Sequence, residues 1–112
     1  MNERDENCLE WIKDEVEFVL KITYEHNLKS FLHDDLAQHG VTMALINIGE
    51  SAKSLSKKLK RKHQEIKWQD LTNLRNIAAH NYDGLRMDDV WEVVTKDIPE
   101  LLEQVKAILN AK

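Results

Sequence analysis

Apolar residues recur every three or four positions along most of the chain, the spacing of helix surfaces that face a core. The first such pattern predicts a helix over residues 5–26, with an apolar stripe at Leu9, Ile12, Val16, Val19, Leu20 and Thr23. Trp11 and Phe18 fall off this stripe, so they could pack against another helix or against a partner chain. Residues 27–30 are predicted to form a connection.

The second and longest helix is predicted to begin at Phe31 or Asp34 and to end at Lys62. Its apolar positions are spaced four and three residues apart, as in a coiled-coil interface: Val41, Leu45, Ile48, Ala52, Leu55 and Leu59. Gly49 costs about 1 kcal/mol relative to alanine inside a helix, which predicts the close approach of another helix there. The neighbouring Glu50 is the acidic residue best placed to pair with an arginine, although a solvated side chain is the commoner outcome.

Trp68 is predicted to anchor the third helix, after a connection over residues 63–67. Asp70 or Thr72 can cap this helix. Its end is predicted at residues 81–83, because the turn dipeptide Asp83-Gly84 follows.

The fourth helix is predicted over residues 88–111, with Asp88 as its cap. Pro99 removes one backbone hydrogen bond and predicts a kink over residues 95–98. Because no strand pattern appears, the four helices and their short connections predict an all-α, up-and-down four-helix bundle.

Length and composition limit the possible classes of protein. A chain of 112 residues is one domain, residues 1–112, with one core. Its net charge of −4 does not indicate a nucleic-acid binder. The single Cys8 excludes an internal disulfide and favours a reducing compartment. Because there is neither an apolar run of membrane length nor a basic leader, we expect a cytoplasmic protein without a membrane partner.

One short segment is strongly basic against this acidic background. It could simply complement the end of a helix, where positive charge is favoured by about 0.3–1 kcal/mol. It could also track the phosphates of a nucleic acid. The candidate RNA-binding residues are Lys57, Lys58, Lys60, Arg61 and Lys62.

The densest group of reactive side chains lies between Arg75 and Tyr82. Arginine holds phosphate groups through a fork of N–H donors, and histidine is the usual general acid or base near neutral pH. On one helix Asn76 and His80 share a face, whereas Arg75 and His80 diverge by about 140°. Either the helix ends near His80 and the chain turns, or a second copy of the chain completes the site as a symmetric dimer.

Other chemistries find little support. The five histidines show no paired spacing with carboxylates that is typical of metal ligands, and His39 with Asp35 is the only candidate pair. A glycine-rich phosphate loop and a serine nucleophile motif are both missing from the sequence. We therefore expect no metal site and no cofactor.

The segment Arg75-Asn76-Ile77-Ala78-Ala79-His80-Asn81-Tyr82 resembles the Arg, four residues, His, one residue, Tyr signature of the HEPN superfamily, in its HepT-like toxin branch. Three further stretches resemble this branch in the same order: Ile48-Gly49-Glu50-Ser51-Ala52, Ile66-Lys67-Trp68-Gln69-Asp70-Leu71, and the last helix around Val90-Trp91 and Ile98-Pro99. Lys67 stands where the family usually has proline.

This resemblance implies a homodimeric helical bundle with two Arg-His motifs facing one cleft. It implies a metal-independent endoribonuclease, the toxin of a type VII-like toxin–antitoxin pair, whose partner is an MntA-type minimal nucleotidyltransferase antitoxin. On this frame the catalytic residues are Arg75 and His80, Asn76 supports them, and Tyr82 is the site of AMPylation by the antitoxin. The alternative is a non-catalytic nucleotide- or substrate-binding subunit of a nucleotidyltransferase complex.

Overall fold

The structure, a computed structural model, describes residues 1–80 and 86–111, without the side chains of Ile77, Ala79 and His80. Within this part of the chain there are six α-helices and no strand, which confirms the all-α prediction. Four of them are the long helices that the sequence predicts. The helices are α1 (Glu3–Thr23), α2 (Leu28–Leu32), α3 (Asp35–Ser54), α4 (Lys57–Lys62), α5 (Trp68–His80) and α6 (Met87–Asn110).

Helix α1 buries the predicted stripe almost completely. Its four central members are fully buried: Leu9, Ile12, Val16 and Val19. The helix begins two residues before the predicted start because the Asn2 side chain caps it, accepting the Asp5 N–H at 2.7 Å. It ends at Thr23, whose hydroxyl donates to the Val19 carbonyl at 2.9 Å.

Helix α2 lies where the sequence predicts only a connection, so this prediction is wrong. Asn27 and Ser30 form a capping box, in which each side chain accepts a backbone N–H from the other residue. Phe31, on this short helix, is fully buried and lies 5.2 Å from Trp91 between ring centroids. This short helix therefore adds an aromatic contact between α2 and α6.

The predicted second helix is broken at Leu55 and Ser56, which corrects the predicted end at Lys62. Ser56 caps α4 by accepting the Leu59 N–H at 3.2 Å. Asp5, a buried carboxylate of α1, accepts the Ser56 N–H at 2.9 Å and its hydroxyl at 2.6 Å. Leu55 and Leu59 remain in the core because α4 turns them back toward it.

Helix α5 begins at Trp68, whose indole N–H donates to the His63 carbonyl at 3.0 Å, so the predicted anchor is confirmed. Asp70 and Thr72 lie inside the first turns, and their prediction as caps is wrong. The Thr72 hydroxyl instead donates to the Trp68 carbonyl at 3.3 Å. The predicted end at residues 81–83 and the Asp83-Gly84 turn lie outside the described residues.

Helix α6 begins at Met87, one residue before the prediction, and remains helical through Pro99. Asp88 is therefore in the first turn and is not the cap. Its carboxylate accepts from the Arg86 guanidinium at 2.7 Å and from the Asp89 N–H at 3.0 Å.

The long helices pack in a defined order. Helix α1 packs along α3 and along α6, and α5 packs along α3. The Asp5–Ser56 contact and a 3.3 Å hydrogen bond from Asn47 to Glu15 make α1 and α3 antiparallel. In the described ranges α5 and α6 make no extensive contact with each other, and a groove lies between them. No helix in these ranges has the length and apolar character needed to cross a membrane.

Candidate functional site

Arg75 lies where α5 passes closest to α3, directly over Gly49. A Cβ atom placed on Gly49 would lie 2.2 Å from the Arg75 Cβ and 2.8 Å from the Leu71 carbonyl oxygen. The stem of Arg75 thus packs against the bare backbone of α3, which confirms the predicted packing reason for this glycine.

Glu50 follows Gly49 on α3 and forms an ion pair with Arg75 Nε. The Nε atom is buried, and the contact lacks the alignment of a hydrogen bond. The side chains are 25% exposed for Arg75 and 46% exposed for Glu50. Glu50 thus pairs with Arg75, whereas a solvated side chain was the commoner outcome expected from the sequence, and its side chain remains half-exposed.

Asn76 completes the described surroundings of the guanidinium, because its side-chain oxygen accepts from Arg75 Nη1 at 3.1 Å. A guanidinium carries five N–H donors. With Nε against Glu50 and one Nη1 hydrogen on Asn76, the donors of Nη2 and the second hydrogen of Nη1 remain for a ligand. This arrangement suits an oxyanion such as a phosphate.

His80 is the last described residue of α5, five residues and about 7.5 Å along the helix axis from Arg75. Because the helix is continuous between them, the two backbone positions lie about 140° apart around the axis of α5. The His80 side chain and the whole of Tyr82 lie outside the described residues. Of the predicted site residues, the structure shows Asn76 in contact with Arg75, and it adds Glu50 of α3 to them.

The basic residues lie on α4, at the end of the bundle formed by the start of α1 and the end of α6. A cavity of about 360 Å³ there is lined by residues of all three helices, including Asp5, Lys58, Lys62 and Ile108. Lys57, Lys58, Arg61 and Lys62 are exposed, and Lys60 donates to the Lys53 carbonyl at 3.4 Å. Gly49 and Ser56 are seven residues apart, about 10 Å along a helix, so α4 lies beyond Arg75 and not beside it.

The groove between α5 and α6 is a second cavity of about 340 Å³. Apolar side chains such as Leu71 and Leu101 form part of its lining, together with acidic residues including Asp70, Asp97 and Glu100. Its negative charge disfavours a nucleic acid. This groove was not predicted from the sequence, although two of its acidic residues, Asp97 and Glu100, lie together in the middle of α6.

Metal-ligating side chains do not gather into a site within residues 1–80 and 86–111, where no three of His, Cys, Asp and Glu are close enough to share an ion. The candidate pair of His39 and Asp35 also has a different geometry. The ring nitrogen Nδ1 of His39 lies 2.7 Å from the backbone carbonyl of Asp35.

Comparison with known proteins identifies relatives along nearly the whole chain. The family model described as "Ribonuclease HepT-like" matches residues 12–108, a range that includes Gly49, Glu50, Arg75 and His80. A protein of Caldanaerobacter subterraneus named "Putative RNase TTE0752" is 34% identical over 102 residues, which cover 91% of each chain. A protein of Thermococcus cleftensis named "Probable ribonuclease HepT" is 34% identical over 90% of this chain and 92% of its own. No solved structure matches the chain.

Proposed function

Because this chain belongs to the HepT-like ribonuclease family, we propose that it is a metal-independent endoribonuclease and the toxin of a type VII-like toxin–antitoxin pair. The observation that carries the proposal is the geometry of Arg75. Its guanidinium is held between Glu50 and Asn76, with Nη donors left for a phosphate, on the helix that also carries His80.

The chemistry needs only groups that the chain and its substrate supply. The 2′-hydroxyl of the RNA attacks the adjacent phosphorus, so that a 2′-O–P bond forms and the P–O5′ bond breaks. His80 accepts the 2′-hydroxyl proton, and a proton is returned to the leaving 5′ oxygen. Arg75 stabilises the charge that develops on the phosphoryl oxygens. The products are a 2′,3′-cyclic phosphate and a 5′-hydroxyl.

A second copy of the chain provides the missing half of the site in this proposal. Four large apolar side chains are exposed along the α1–α3 pair, and we call this surface the α1/α3 face. They are Trp11 (50% exposed), Phe18 (46%), Leu36 (84%) and Met43 (58%). An apolar surface of this kind on a small protein is typical of an interaction site.

The α1/α3 face is continuous and reaches the candidate site. Leu36, Gly40, Met43, Asn47 and Glu50 follow one another at helical spacing on α3 and so share one side of it. The same spacing places Trp11 and Phe18 together on α1. A Cβ on Gly40 would lie 4.0 Å from the Phe18 ring, so the two stripes are neighbours.

A two-fold axis through this face would bring the Arg75 and His80 residues of two protomers into one cleft. This arrangement resolves the 140° divergence of the two side chains along one α5, because Arg75 of one protomer can act with His80 of its partner. Dimerisation is thus part of the proposed catalytic mechanism.

The partner in the cell would be an MntA-type nucleotidyltransferase antitoxin. AMPylation of Tyr82 would add negative charge and bulk two residues from His80, which opposes the binding of an anionic RNA. The exposed lysines of α4 would attract RNA to one end of the bundle, and their contribution should weaken with salt.

The decisive experiment is cleavage of a labelled RNA by the purified protein in the presence of EDTA. Cleavage that leaves 2′,3′-cyclic phosphate ends, and that falls strongly in Arg75→Ala and His80→Ala, supports the proposal. Arg4→Ala and His33→Ala are matched controls, because both residues are exposed and lie outside α5. Nucleotide binding weakened by Arg75→Ala, with no cleavage by the native protein, would favour the binding-subunit alternative.

The dimer is tested by sedimentation of the native protein and of Met43→Glu. A carboxylate in the centre of the α1/α3 face should shift a dimer to monomer and abolish cleavage with it. Tyr24→Glu is the control, because Tyr24 is an 86% exposed aromatic residue that follows the end of α1 and is not part of the α1/α3 face. A native protein that sediments as a monomer while it cleaves RNA would contradict the shared cleft.

A further inference from the structure

The ion pair between Glu50 and Arg75 is expected to contribute little to the stability of the fold. Both side chains are partly exposed, and exposed ion pairs contribute little to folding. The same place in the fold also carries Gly49, a residue that is unfavourable inside a helix. The chain therefore contains two adjacent features whose common effect is to hold Arg75 close against α3.

The geometry of the pair selects which donors of Arg75 remain available. A guanidinium presents either its Nε edge or its Nη groups to an oxyanion. The Glu50 carboxylate lies on Nε, and Nε is buried. Asn76 accepts from Nη1 at 3.1 Å and limits rotation at the outer end of the side chain. Only Nη donors can reach a phosphate.

We propose that Glu50 is a positioning residue, which holds Arg75 by its Nε edge so that the Nη donors meet the scissile phosphate in one orientation. This inference rests on the proposed ribonuclease function. Glu50 itself does not touch the RNA. It acts through Arg75, whose orientation is otherwise free, because a long side chain samples several rotamers in water.

The proposal predicts that loss of the Glu50 carboxylate affects kcat and KM differently. Loss of the carboxylate releases Arg75, and a misplacement of about 1 Å in a catalytic group can lower the rate about 100-fold. The same loss removes a negative charge close to the bound phosphate, which improves the electrostatic attraction of RNA. Glu50→Ala should therefore lower kcat about 10- to 100-fold without raising KM.

The test compares steady-state RNA cleavage by the native protein, Glu50→Ala and Glu50→Gln. The amide of Glu50→Gln keeps the size and one acceptor oxygen, so its kcat should lie between the other two. Glu92→Ala is the matched control, because it removes a carboxylate from an exposed ion pair with Lys96 that is confined to α6. Its kcat and KM should equal those of the native protein.

Three results would overturn the inference. An unchanged kcat in Glu50→Ala would mean that Arg75 is oriented without Glu50. A rise in kcat/KM would mean that the carboxylate competes with RNA for Arg75 and does not position it. A fall in kcat that is matched by Glu92→Ala would also overturn it, because the effect would then be general to surface carboxylates.

A readout without RNA separates this inference from the proposed function. The Nε–H group of Arg75 is assigned in an NMR spectrum by its absence from Arg75→Ala. Restricted motion of this group in the native protein, lost in Glu50→Ala and kept in Glu92→Ala, supports the positioning role even if the protein cleaves no RNA. Free motion of Arg75 Nε in the native protein would contradict the positioning role of Glu50 and would not affect the ribonuclease proposal.

Discussion

Gly49→Ala is the substitution that tests the contact between α3 and α5 most directly. The added Cβ would lie 2.2 Å from the Arg75 Cβ and 2.8 Å from the Leu71 carbonyl oxygen, whereas ordinary contacts begin at 3.4 Å. Neither atom can rotate away, because one is backbone and the other is attached to it. Helix α5 must therefore move by about 1.2 Å relative to α3, which is the difference between 2.2 and 3.4 Å.

The magnitude follows from two opposing terms. Overpacking of this kind costs about 1–3 kcal/mol, and contact with rigid atoms puts Gly49→Ala near the upper value. Alanine returns about 1 kcal/mol through its higher helix propensity. The free energy of unfolding should fall by about 2 kcal/mol, which lowers Tm by about 8 °C at about 4 °C per kcal/mol.

Urea denaturation of Gly49→Ala and Gly40→Ala provides the measurement with a matched control. A Cβ on Gly40 would lie 3.0 Å from the terminal Cδ1 methyl of Ile22, which is only partly buried and can move. Gly40→Ala should therefore be neutral or stabilising by up to about 1 kcal/mol. If Gly49→Ala proves as stable as Gly40→Ala, the close approach of α5 to α3 is refuted.

Three further predictions concern single polar groups. Asp5→Ala should lower the free energy of unfolding by about 2–3 kcal/mol, because it removes a buried carboxylate that accepts two hydrogen bonds from Ser56. Urea denaturation measures this loss of stability, which should be smaller in Asp5→Asn. Thr42→Val should raise that free energy by about 1 kcal/mol, because the buried hydroxyl has no hydrogen-bond partner among the described residues; a loss of stability would contradict this. The hydrogen bond from Arg86 lowers the pKa of Asp88. The contribution of this pair to folding is therefore fully present above the ordinary aspartate pKa, and it is lost as the pH falls through the lowered pKa of Asp88. A carboxyl NMR titration of Asp88 should return to the ordinary range in Arg86→Ala.

The periodicity of the sequence predicted most of the core. The apolar positions of the first helix and of the second were assigned correctly, because side chains at helical spacing share one face, which turns toward the core. Gly49 was also interpreted correctly as a sign of close helix approach, whereas for Glu50 the pairing with an arginine was the less expected of two outcomes. The partner proved to be Arg75.

The missed features depend on contacts that periodicity does not encode. The break at Ser56 preserves the apolar spacing on both sides, and it is fixed by Asp5, which is 51 residues away in the chain. Helix α2 was detectable from the sequence, because Asn27 and Ser30 have the spacing of a capping box. The start of α6 shifted because Asp88 pairs with Arg86 and does not act as the cap.

The groove between α5 and α6 has a consequence for the dynamics of the molecule. Helix α1 packs along two long helices, α3 and α6, whereas α3 is the one long helix with which α5 makes an extensive contact in the described ranges. Segments held by one interface open at a lower free energy than the whole molecule unfolds. The backbone amides of Trp68–His80 should therefore exchange with solvent deuterium before those of α1. The helix that carries Arg75 should then open before α1, and a ligand that bridges α5 to a second protomer would slow its exchange.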